Sequence, residues 1–160
     1  MHRTKNDLPE VKRRELVALL NERLADSVDL LMMSKQAHWN VKGPTFIALH
    51  KMFDEMYDVI AGFVDTIAER VVQLGGTAMG TVRASAAATT LAEYPADIIN
   101  GHDHCDALSS ALARYGAAMR KAIDQASALG DADTADIFTE ISRGTDKWTW
   151  FVEAHLEGKA

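Results

Sequence analysis

The chain has 160 residues, of which 48% are apolar and 25% charged, and its formal net charge is −6. That length sustains one domain with its own core, and the composition excludes a disordered chain. One cysteine excludes a disulfide framework or a zinc finger and fits a reducing cytoplasm, and no apolar run nears the roughly 20 residues of a membrane span.

The first eight residues read as a short polar tail, mobile and without the apolar segment of a secretion signal. Residues 1–14 carry five Lys or Arg against two acids, so this end is +3 and the remainder −9. A chain this acidic is not built around a nucleic-acid surface. A first helix is predicted from about Pro9, which suits a first-turn position, to Asn40, with Leu16, Leu20, Leu24, Val28 and Leu31 on one face. Val41-Lys42-Gly43-Pro44 breaks it. A second helix starts at Thr45, striped by Phe46, Leu49, Phe53, Met56, Ile60, Phe63, Ile67, Val71 and Leu74, and Gly75-Gly76 stops it. The Ala- and Thr-rich stretch 77–94 reads as a crossover with a short helix of its own. Pro95 is expected to open a third long helix, striped by Ile98, Cys105, Leu108, Leu112, Tyr115 and Met119. After Gly130 an aspartate caps a fourth, with Ile137, Ile141, Trp148, Phe151 and His155 on its buried face. Helix then covers about three quarters of the chain, well above the usual third. Four long helices with one long connection predict a single all-α domain, a ferritin-like four-helix bundle with a short helix in its crossover.

The second helix carries two pairs at i,i+4, His50 with Asp54 and Asp65 with Glu69. Members of such a pair share a helical face. His38 lies across the Gly-Pro turn from His50. Two imidazoles and three carboxylates suit iron, and less selectively zinc or manganese. Carboxylates also bridge metals, which favours a dinuclear site. Asp54 and Asp65 differ by only about 20° around the helix but by about 16 Å along it, so the two groups cannot share a metal within one chain. An isologous two-fold interface would unite each His-rich half with an acidic half of a second copy. Against this stands the plainer reading of each pair as a solvated helix face.

The run His38-Trp39-Asn40-Val41-Lys42-Gly43, continued through Leu49-His50 to Asp54, resembles the first signature of the Dps family (DNA-binding protein from starved cells). Val64-Asp65-Thr66-Ile67-Ala68-Glu69-Arg70 with Leu74-Gly75-Gly76 resembles its second. The likeness extends through Asp133-Thr134-Ala135-Asp136-Ile137 and Trp150-Phe151. It implies a hollow homododecamer with ferroxidase centres at dimer interfaces, built from His38, His50 and Asp54 of one subunit and Asp65 and Glu69 of the other. It further implies oxidation of Fe(II), preferably by hydrogen peroxide, and storage of Fe(III). The Glu-x-x-His motif with which ordinary ferritins build their site inside one bundle is absent, in keeping with this.

Trp39 follows a candidate ligand and reads either as an electron donor near the iron or as a packing aromatic. Asp131, Asp133, Asp136 and Glu140 read as caps and dipole partners of the fourth helix, and by resemblance as the lining of an iron-entrance pore. His102 to Asp106 reads as a solvated helix face with Cys105 in the core. A rival function is nucleoid compaction through basic tails. With only Arg3 and Lys5, partly offset by Asp7, ahead of the first helix, the expectation is weak or absent DNA binding.

Overall fold

The computed structural model describes residues 1–157. It contains α1 (Glu10–Asn40), α2 (Phe46–Gln73), the short α3 (Val82–Ala88), α4 (Gly101–Leu129) and α5 (Ala132–Glu153). The described residues hold no strand, only an isolated bridge between Lys42 and Asn100. α1 packs chiefly on α2 and α4 chiefly on α5, while α1 also meets α4 and α3.

The long crossover has a geometric reason. Lys42 N donates to Ile99 O (2.9 Å), so α4 starts beside the α1–α2 turn. α2 runs about 42 Å away from that end before it stops. The chain must therefore return along the whole bundle before α4 begins, and 74–100 is the returning segment.

α2 ends in a Schellman closure. Gly75, at φ 84°, donates to Val72 O and Gly76 to Val71 O, both at 2.9 Å. Gly75 supplies the left-handed turn, and a Cβ on Gly76 would lie 2.6 Å from Val17 Cγ1. Gly130, at φ 81°, closes α4 in the same way, and Asp131 then caps α5 by accepting from Thr134 N.

The core is a single cluster running the length of the bundle, including Leu16, Leu20, Leu24, Phe53, Ile60, Ile67, Leu108, Tyr115 and Phe138. Cys105 belongs to it, and burial pushes its thiol up to about 11. Two buried polar pairings cross between elements of the core. Tyr115 Oη lies 2.7 Å from Ser27 Oγ, and Asp26, fully buried on α1, accepts from Thr90 N (2.6 Å) to pin the crossover.

Four expectations need correcting. The third long helix starts at Gly101 rather than Pro95, because the Asn100 side chain accepts from Asp103 N and caps it there. On α1, Val28 and Leu31 are only half-buried, and the inner face turns instead through Ser27, Leu30 and Met33. His155 is exposed, because α5 ends at Glu153 before the stripe reaches it. The N-terminal segment is not free: His2 N donates to Gly75 O (2.6 Å), and Arg13 Nη1 donates to Leu74 O (2.9 Å), so residues 1–8 lie against the end of α2.

Candidate metal centre

His38 sits in the last turn of α1 and His50 in the second turn of α2. The intervening turn folds the two helices side by side, and the imidazoles stack with centroids 3.7 Å apart and planes 21° apart. His38 Nδ1 lies 2.7 Å from His50 O, and His50 Nδ1 lies 2.9 Å from His38 O. A carbonyl only accepts, so each Nδ1 must carry the proton. The neutral ring then presents an unprotonated Nε2, the form that binds a metal.

Asp54, one turn beyond His50, has Oδ1 3.9 Å from His38 Nδ1. Its nearer partner is the Lys35 ammonium, which holds its carboxyl below the usual carboxylate range. Lys35 also lies 4.4 Å from the Tyr57 ring centroid. Sequence reasoning missed Lys35. Its one signal is its place one turn before His38, on the same face of α1.

Asp65 and Glu69 lie farther along α2, both exposed. Glu69 borders an open cleft of about 530 Å³ with Ala68, Val72, Gln73 and Ala78. Among the described residues no three His, Cys, Asp or Glu side chains converge on one point. The structure thus stacks His38 on His50, leaves Asp54 nearby but turned to Lys35, and leaves Asp65 and Glu69 apart, as the helical rise requires.

Trp39 is 61% exposed and lies outside the subunit's core. Asp133, Asp136 and Glu140 are exposed on the first turns of α5. Asp131 differs from them in being buried and engaged by Arg70 and Thr134. Burial alone would raise its pKa. The hydrogen bonds from Thr134 and Arg70 outweigh that and hold the carboxyl below its ordinary range. Of the 102–106 cluster, His102 and Asp106 are exposed, but His104 is buried with Nδ1 2.7 Å from Tyr94 Oη.

Two helical hairpins joined by a bundle-length crossover, with His and carboxylate side chains on α1 and α2, fit the ferritin-like class. A family model for the ferritin-like domain matches residues 17–159. The chain is 50% identical to the DNA protection during starvation protein of Agrobacterium fabrum over 159 residues, 99% of this chain and 98% of that one. It is 35% identical to the protein of the same name from Brevibacillus brevis, over 90% of this chain and 97% of that one. Among solved structures, Mycobacterium smegmatis Dps superposes with a TM-score of 0.93 at 31% identity, covering 99% of this chain and 95% of that one. The Dps protein of Vibrio cholerae O1, described as a ferritin-like diiron-carboxylate protein, superposes with a TM-score of 0.91 at 25% identity, with 98% of each chain covered. The chain belongs to the Dps family of ferritin-like proteins.

Proposed function

We propose that this chain is a ferroxidase subunit. Two copies related by a two-fold axis join His38, His50 and Asp54 of one to Asp65 and Glu69 of the other. Such dimers close into a homododecamer that oxidises Fe(II), preferably with hydrogen peroxide, stores Fe(III) and so protects DNA from oxidative damage in the cytoplasm. The observation that carries this reading is the reciprocal hydrogen bonding of His38 and His50, which engages both Nδ1 atoms and leaves each Nε2 lone pair to bind a metal.

Iron is the substrate. A pair of Fe(II) ions supplies the two electrons that break the O–O bond of one peroxide; two protons are taken up and two waters leave, so no hydroxyl radical escapes. The His-rich half supplies neutral nitrogen donors, and the acidic half supplies carboxylates able to bridge the pair. Zinc and other divalent ions would compete for the same donors. The apolar rim of the Glu69 cleft, with Val72 57% exposed, suits burial against a second copy. Asp133, Asp136 and Glu140 supply an acidic funnel for Fe(II), in which Asp131 serves as scaffold rather than lining. Trp39 is placed next to a ligand as a one-electron donor. The docked N-terminal segment and its few cations support weak or absent DNA binding rather than compaction. No helix among the described residues is long and apolar enough to cross a membrane.

Complementation tests the shared site. His50→Ala and Asp65→Ala each disable both sites of their own homodimer. In a mixed dimer one site combines the two broken halves and the other the two intact ones. Random co-assembly makes half of the dimers mixed, so about a quarter of all sites should recover in co-expressed cages. Verified mixed dimers with no more activity than either variant alone would defeat the intersubunit site.

A further inference from the structure

α2 carries residues of both halves of the proposed centre, His50 and Asp54 near one end and Asp65 and Glu69 near the other, and each end is anchored separately. The His end is held by the α1–α2 turn and its bond to Ile99. The acidic end is held by Arg70, the residue directly after Glu69. Arg70 is buried, and its Nη2 donates to both carboxylate oxygens of Asp131 (2.7 and 2.9 Å). Its Nε donates to Thr134 Oγ1 (3.0 Å), and Nη1 to Gln73 Oε1 (3.3 Å) within α2 itself. Asp131 is the N-cap of α5, so the guanidinium is fixed to the first turn of another helix at three points.

A planar fork held in this way resists rotation of its own helix, which a single point charge does not. Rotation is the freedom that matters here. Glu69 and Asp65 project from the same turns of α2, and a small roll about the helix axis displaces the tips of exposed side chains. Arg70 Nη2 also lies 3.7 Å from Asp133 Oδ2, so the clamp joins this end of α2 to the acidic face of α5.

We infer that Arg70 is a positioning residue for the acidic half of the metal centre: clamped to Asp131 and Thr134, it fixes the roll of α2's last turns and so aims Asp65 and Glu69 at the site shared with a second copy. The inference rests on the shared-site reading, and its test separates the two.

Arg70→Lys keeps the charge but loses the fork. It is co-expressed with His50→Ala in one set of cages and with Asp65→Ala in another. Co(II) binding, read by visible absorption, counts intact sites, and Fe(II) oxidation reports activity. Alone, Arg70→Lys should lose most of its Co(II) sites while assembling normally. With His50→Ala, the mixed dimers pair two intact halves and about a quarter of all sites should return. With Asp65→Ala none should return, because both chains carry a damaged acidic half. A general folding defect would impair both halves and complement neither partner. Rescue of both partners or of neither, or wild-type Co(II) binding by Arg70→Lys alone, overturns the inference. Failure of the control pair, His50→Ala with Asp65→Ala, defeats the shared site itself and the inference with it. If Arg70→Lys does not assemble, Asp131→Asn repeats the test from the other side of the clamp. If neither assembles, the pair serves the cage rather than the metal half-site, and the inference falls.

Discussion

His38 and His50 hold each other through their main chains: each ring Nδ1 lies within 2.9 Å of the other's backbone carbonyl. This fixes the tautomer and the ring plane together, and it explains why both histidines flank a tight turn. The turn must keep two carbonyls, one from the end of α1 and one from α2, in register with two side chains. Anything that shifts the turn shifts both donors at once.

Gly101 is one such control point. A Cβ there would lie 2.4 Å from Leu49 Cδ1, and Leu49 is buried beside His50 in the sequence. Gly101→Ala should destabilise the fold by about 1–3 kcal/mol through overpacking. It should also weaken Co(II) binding, because the added methyl crowds both Leu49 Cδ1 and Thr45 Oγ1 (3.1 Å) at the start of α2, next to His50. Calorimetry alongside a Co(II) titration checks this. Unchanged values in both would show that the turn tolerates the extra methyl.

His104 sets a pH dependence. Burial pushes its imidazole below the ordinary value, with Asp103 pulling partly back. The unfolded chain therefore takes up the proton first as pH falls below about 6.5. The site's contribution is present above that pH and is lost as pH falls toward the folded-state value. Melting temperature should fall from about pH 7 to about pH 5.5, and the fall should be shallower in His104→Asn. Parallel slopes for the two proteins would remove His104 as the cause.

The N-terminal segment is predicted to matter for stability rather than for nucleic acid. Deleting residues 2–8 removes the His2–Gly75 bond and the Leu8 carbonyl that accepts from Arg13 Nε (3.0 Å). The melting temperature should drop. Duplex DNA binding, carried by few phosphate contacts, should be weak at physiological salt in both forms. Tight, salt-resistant binding that disappears with the deletion would restore the compaction reading.

What the sequence made legible follows from local physics. Helical period and the Gly75-Gly76 stop are set by neighbours within a turn or two, and the 16 Å separation of the two ligand groups follows from helical rise alone. The start of α4 was misread because Ile98 falls by accident in register with the stripe, while the actual cap, Asn100, is an ordinary polar residue. Arg70 and Asp131, 61 residues apart, show the larger obstacle. Asp131 reads as a helix cap or pore residue and Arg70 only as the last residue of the Val64–Arg70 run, and only the tertiary pairing reveals a buried clamp. Lys35 and Asp26 were hidden for the same reason, since a charge that folds inward leaves no periodic mark.

The most direct test of the ferroxidase cage is to follow Fe(II) oxidation by hydrogen peroxide and by oxygen on one sample whose particle mass is measured at the same time. The account predicts a dodecamer that oxidises about two Fe(II) per peroxide, faster than with oxygen, and loses this in His50→Ala while keeping its mass. A dodecamer whose oxidation rate is the same with and without His38, His50 and Asp65, or a particle that remains a single chain while oxidising iron, would contradict it.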